Sequence, residues 1–191
     1  YVYDGEKQVS MLEFKEASEN VIIVDSESKR YSMCGARIGF FITRSQKIYN
    51  AAMLFAQARL SPVLFGQIAA TAAHYNDTEY INSVREEYQK RRDLLVGLLN
   101  DIPGVFCPKP KGAFYCAVEL PVDDTETFAQ WLLENYSLNN ETLMLAPMGG
   151  FYSNPELGKK QVRIAYVLKE EDLKRSAEIL KDALEKYKER G

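Results

Sequence analysis

The chain has 191 residues, of which 46% are hydrophobic and 27% charged, with a net charge of −3. That is enough chain for one large or two small globular domains, and the small negative charge leaves no basic excess for nucleic acid or an anionic membrane. Three cysteines at unrelated spacings (Cys34, Cys107, Cys116) and a single histidine, His74, argue against a disulfide framework and a zinc or iron site. That cysteine usage makes a reducing, cytoplasmic setting the expectation; no apolar run approaches the ~20 residues of a transmembrane helix, and no signal-peptide pattern is visible.

Taken in chain order, Tyr1-Val2-Tyr3 reads as extended, and the start, without a methionine, suggests a piece of something longer. The apolar run from Asn20 to Asp25 predicts a strand buried on both faces, and Arg37 to Thr43 a second. Ser45 caps a predicted helix to about Leu60, ended by Ser61-Pro62. An Ala-rich helix follows from about Leu64 to Tyr75, where His74 reads as structural. Asn76-Asp77-Thr78 opens a long helix with Ile81, Val84, Tyr88, Leu95 and Leu98 on its apolar face. On that helix Lys90, Arg91 and Arg92 are flanked by Glu86, Glu87 and Asp93 and read as a solvated face. Beyond Pro103-Gly104 the order is strand (113–118), helix (125–136), strand (142–146), strand (162–167) and a closing helix striped by Leu173, Ala177, Leu180, Leu184 and Tyr187. Mixed strands and helices predict an α/β fold.

The chemistry concentrates in Asp25-Ser-Glu-Ser-Lys-Arg-Tyr-Ser-Met-Cys-Gly-Ala-Arg-Ile-Gly39, between the two predicted strands. Lys29 follows directly on a strand, Ser28 and Ser26 precede it, and Arg37 lies between Gly35 and Gly39. A lysine amine forms a Schiff base with an aldehyde. An arginine fork binds phosphate bidentately, and hydroxyls add hydrogen bonds. Together these are the parts that hold a phosphate-bearing aldehyde, though a lysine after a strand is by itself usually a solvated charge.

The same stretch resembles the lysine signature of class I and II aminotransferases, fold-type-I enzymes of the aspartate aminotransferase type. Ser26, Ser28, Lys29, Ser32, Met33, Gly35, Arg37, Ile38 and Gly39 fit it, and Glu27 departs from a position that is usually small or apolar. Four further stretches resemble family segments in the right order: Tyr3-Asp4-Gly5, Pro110 to Tyr115, Ala146 to Phe151 (with Met148 inserted) and Gln161 to Tyr166. The resemblance covers the whole chain and implies the C-terminal half of such an enzyme. Residues 1–75 would be the latter part of the large cofactor-binding domain with a mostly parallel sheet, 76–102 a connecting helix, and 103–191 a small α/β domain.

The resemblance further implies pyridoxal 5'-phosphate as cofactor, Lys29 as its Schiff-base anchor and catalytic acid/base, and Ser26 and Arg37 on its phosphate. Arg163 would clamp the substrate α-carboxylate. Arg59 reads first as a helix-end arginine; in aspartate-specific members an arginine from this neighbourhood of the second subunit binds the side-chain carboxylate. Phe114 and Tyr115 read as core residues, one of which could edge the substrate pocket. The substrates implied are an amino acid, aspartate or similar, and a 2-oxo acid, with a homodimer and neither nucleic acid nor membrane as partner. The family's other cofactor contacts would precede Tyr1, so the chain by itself is expected to be inactive and prone to self-association. The rival readings are another fold-type-I reaction (decarboxylase, lyase or synthase), an aminotransferase-like sensory domain of a transcription regulator, and a structural domain with no ligand.

Overall fold

The computed structural model describes residues 1–75 and 77–190. The chain divides into two compact units, one of Lys7–Val84 and one of Tyr1–Glu6 with Arg85–Gly191.

In the unit of residues 7–84, a 3-10 turn at Met11–Glu13 is closed by a capping box between Ser10 and Glu13. Strand β1 (Ile22–Ser26) runs into a one-turn helix, α1 (Glu27–Arg30), then a 3-10 turn (Cys34–Ala36) and strand β2 (Gly39–Thr43). The two strands pair antiparallel, from Ile22↔Thr43 to Ser26↔Gly39. Helix α2 (Gln46–Arg59) follows, ending at Leu60, whose positive φ of 67° reverses the chain ahead of Ser61-Pro62. Helix α3 (Leu64–Tyr75) covers the span its composition predicts.

Two expectations for this unit need correction. The ladder is antiparallel, because the short 27–38 connection folds the chain straight back instead of crossing over the sheet. The strands are also not buried on both faces. Val24 is 78% exposed, and Ile22, Phe40, Phe41 and Ile42 are all exposed, because this sheet has two strands and few side chains lie over them.

Helix α4 (Asp77–Asn100) runs from one unit into the other; its expected opening at Asn76 lies outside the described residues. In the second unit, strands β3 (Tyr115–Glu119), β4 (Ala146–Pro147) and β5 (Gln161–Ala165) form an antiparallel sheet in the order β3-β5-β4. Helices α5 (Thr125–Asn135) and α6 (Glu170–Glu189) pack on it. Val118, Val162, Phe128, Leu132 and Tyr166 are fully buried. All five residues of the predicted α6 stripe are buried, each large apolar one contributing ~1.5–3 kcal/mol. Acidic side chains fill the first turn of α6 and lysines its last, complementing the helix dipole. The strand expected at 142–146 is reduced to Ala146–Pro147; Thr142 instead turns its hydroxyl to Leu132 O at 2.7 Å.

Arg92 corrects the solvated reading of the basic run. Its side chain is fully buried, with Nη1 donating to Asp4 Oδ2 at 2.7 Å and to Pro110 O at 2.8 Å. Nη2 donates to Asp4 Oδ1 at 3.0 Å, and the guanidinium lies 4.6 Å from the centre of the Tyr3 ring. The helical period turns Arg92 inward with Leu95, Val96 and Leu99 while Lys90 stays exposed. Two of the family-like stretches meet here. Tyr3 N donates to Lys111 O, Ala113 N donates to Tyr1 O, and the Tyr3 hydroxyl donates to Ala113 O. Hydrogen bonding to Arg92 holds the Asp4 carboxyl below the usual carboxylate range, against a smaller opposing effect of burial.

Candidate functional site

The 27–38 connection carries the lysine, its hydroxyls and the first arginine. Ser26 ends β1 and caps α1: its Oγ accepts from Ser28 N at 3.1 Å, donates to Ile38 O at 3.3 Å and lies 2.9 Å from Ser28 Oγ. Glu27 N also donates to Ile38 O, so both ends of the connection are tied together. Lys29 follows two residues on and is exposed. Arg37 sits in the left-handed region (φ 57°, ψ 42°), its Nη1 donating to Cys34 O at 3.1 Å. Such a conformation strains a residue with a Cβ and persists only where its surroundings impose it.

Helix α3 is part of that imposition. A Cβ on Gly66 would lie 2.4 Å from Ala36 O, so glycine is what lets α3 press against the turn before Arg37.

Beneath the connection lies a polar cluster that one-dimensional reading missed. Glu27 is 1% exposed, and its Oε1 is 2.8 Å from His74 Nε2. The other imidazole nitrogen is 3.3 Å from the Tyr31 hydroxyl, and the Tyr31 and Phe40 rings stand edge-on to the imidazole. The departure of Glu27 from the family pattern was the available signal, but nothing in sequence connected it with position 74.

Ser26, Lys29 and Arg37 thus share one short connection. Arg59 is the last residue of α2, exposed. In the other unit, Arg163 lies on β5 with its guanidinium 4.6 Å from the centre of the Tyr115 ring and 5.1 Å from that of Phe151. It borders a mostly apolar cavity of about 560 Å³, whose wall includes Tyr115, Leu95, Leu99, Met144 and Leu168. Phe114 stacks on Tyr88.

The donor set of the first unit suits an aldehyde that carries a phosphate: an exposed primary amine for the carbonyl, a guanidinium and paired hydroxyls for the anion. The second unit offers a guanidinium held between two rings beside an apolar cavity, suited to a carboxylate on an organic molecule. Both features are ones that a pyridoxal-phosphate-dependent transferase would need.

Comparison with known proteins agrees. The model of the family "aminotransferase class I and II" matches residues 1–180, and the chain belongs to that family. The chain is 31% identical to an aspartate aminotransferase of Pyrococcus horikoshii over 97% of its own length and 46% of that protein's. It is 33% identical to a (5-formylfuran-3-yl)methyl phosphate transaminase of Methanocaldococcus jannaschii, over 97% and 47%. The solved aspartate aminotransferase of Rhizobium meliloti superposes with a TM-score of 0.81 at 28% identity, covering 96% of this chain and 47% of that one. The chain therefore spans about half the length of the curated relatives it matches. Members of this family use pyridoxal phosphate.

Proposed function

We propose that this chain supplies the Schiff-base lysine and the carboxylate-binding arginine of a cytoplasmic, homodimeric aminotransferase. The reaction moves an amino group from an amino acid, aspartate or a close analogue, to a 2-oxo acid. The observation that carries this reading is the 27–38 connection, with an exposed lysine, a capping serine pair and a strained arginine on one tied-off loop.

Pyridoxal phosphate, when bound, supplies the aldehyde and a conjugated ring that takes up the electron pair of a broken Cα–H bond. Arg37 and the Ser26 hydroxyl bind its phosphate, the guanidinium giving direction as well as charge. Lys29 Nζ would hold the aldehyde and, as an amine beside the substrate Cα, would serve as the acid/base for the proton that leaves that carbon. One amine is thereby both anchor and base. Arg163 receives the substrate α-carboxylate; the Tyr115 and Phe151 rings restrict its guanidinium before binding, lowering the ordering cost. Arg59 is the candidate for a side-chain carboxylate. In this arrangement residues 7–75 belong to the cofactor-binding domain, 76–102 connect, and 103–191 form the small domain, with which Tyr1–Glu6 pack instead of with the first domain as expected. Relatives named aspartate and aspartate/prephenate aminotransferases support an acidic amino acid as donor.

Reduction with borohydride in the presence of pyridoxal phosphate, followed by peptide mapping, tests the reading. The adduct is expected on Lys29 and is lost in Lys29→Ala. An adduct that maps to another lysine in both proteins would sink the assignment.

A further inference from the structure

Helix α1 is a single turn, and one turn has none of the cooperativity that holds longer helices in place. Its direction must come from anchors to its surroundings. On the strand side these are the bonds of Ser26 Oγ and Glu27 N to Ile38 O. The Arg30–Asp25 ion pair is exposed on both partners and holds little. Two buried anchors remain, both on His74 of α3: Glu27, whose carboxylate meets Nε2, and at the C-cap Tyr31, whose hydroxyl lies 3.3 Å from Nδ1.

The spacing gives the Glu27 anchor a directional consequence. Residues two apart on a helix point about 200° from one another. With Glu27 drawn inward to His74, Lys29 is turned outward, as observed: Glu27 is 1% exposed and Lys29 lies on the surface.

Stability does not account for the pair. Glu27 Oε2 is buried and meets no hydrogen-bond partner among the described residues, so the carboxylate is only half satisfied. Such a group costs stability, and an apolar side chain of similar volume commonly serves a buried site better. We propose that Glu27 and His74 form a latch that fixes the rotation of the α1 turn, making them positioning residues for the Lys29 amine. This rests on the reading of Lys29 as the cofactor lysine.

The test compares the wild-type chain with Glu27→Met and Glu27→Gln. The first keeps the volume and removes the acceptor; the second retains an oxygen for His74 Nε2–H. Each is mixed with pyridoxal phosphate and borohydride, and adduct formation at Lys29 is timed against that at Lys47, an exposed lysine of the same unit. In the trapping reaction Nζ adds to the aldehyde carbon, water leaves, and borohydride delivers hydride to the carbon of the C=N bond, leaving a secondary amine. Misaligned reacting groups lose rate steeply, so trapping at Lys29 is expected to fall about tenfold in Glu27→Met and to recover most of that in Glu27→Gln, with Lys47 unchanged.

His74 is the sole histidine, so its imidazole nitrogen resonances report the latch without any cofactor. They should move in Glu27→Met while the unfolding midpoint stays level or rises. Should Glu27→Met fail to fold, His74→Leu, which removes the donor from the half-exposed side of the pair, is expected to slow trapping at Lys29 in the same way. Trapping at Lys29 as fast in Glu27→Met as in the wild type would overturn the positioning role and leave the Lys29 reading standing. A wild-type adduct away from Lys29 would overturn both.

Discussion

Two glycines in helices give opposite expectations for the same substitution. Gly66 is the third residue of α3, and a Cβ there would lie 2.4 Å from Ala36 O and 3.2 Å from the Ile38 side chain. Real Cβ contacts essentially never fall under 3.0 Å, so Gly66→Ala forces the helix and the turn apart by at least about 0.6 Å. The obstacle is a backbone carbonyl, and no rotamer change relieves it. Overpacking of this kind costs ~1–3 kcal/mol, with a backbone-on-backbone clash in the upper part of that range. Alanine returns up to ~1 kcal/mol in helix propensity, less so close to a helix start. The net expectation is a loss of ~1–2 kcal/mol from unfolding of the 7–84 unit. Gly97, inside α4, is the control: its Cβ would meet nothing within 4 Å, so Gly97→Ala should gain ~0.5–1 kcal/mol. Urea unfolding followed by far-UV circular dichroism measures both, and hydrogen exchange at the α3 amides localises the first. If Gly66→Ala proves as stable as the wild type, α3 does not rest on the Ala36 carbonyl and the account of how Arg37 is held in place fails.

Arg37→Gly separates strain from binding: it removes a left-handed Cβ residue and should leave the unfolding midpoint equal or higher. Its affinity for pyridoxal phosphate should fall about tenfold or more, as loss of a charge-assisted hydrogen bond predicts, and an unchanged affinity in a spectral titration would remove Arg37 from the phosphate site. Asp4 titrates below the usual range in the folded chain, so its contribution is present above the unfolded value of about 3.9 and disappears as pH falls through the lower folded value. Asp4→Asn should therefore be less stable than the wild type near neutrality, with the gap closing in acid; a gap independent of pH would contradict the Arg92 contact. Phe55 at 79%, Phe65 at 80% and Leu60 at 78% exposure present more apolar surface than a monomer usually carries. Sedimentation should show concentration-dependent association that weakens in Phe55→Glu or Phe65→Glu; a monomer at all concentrations would contradict it.

What could be read from the sequence was what local chemistry decides. The extent of α3 and the stripe of α6 follow from helical period and composition. Ser26, Lys29 and Arg37 were legible as a group because they are close in the chain and the connection between two strands keeps them so. Arg92 was not, since its burial depends on Asp4, 88 positions away. A charge run looks solvated until its partner is known. The strands β1 and β2 were found, and their exposed apolar faces agree with a chain that lacks part of the family's sheet: an apolar run reports what a strand could bury, whereas exposure depends on which layers lie over it.

Glu27 shows the limit most clearly. Against a pattern that prefers a small or apolar residue, an acid two positions before the lysine looked like tolerated drift. In the folded unit it is among the least exposed charged side chains, and it meets the chain's single histidine across 47 positions. A buried carboxylate needs a partner, and α3 supplies one only because Gly66 brings that helix against the turn. Three residues that looked unrelated in sequence, Glu27, Gly66 and His74, are therefore parts of one packing solution around the lysine. The departure from the family pattern and the glycine in the helix each make sense only with the other in place.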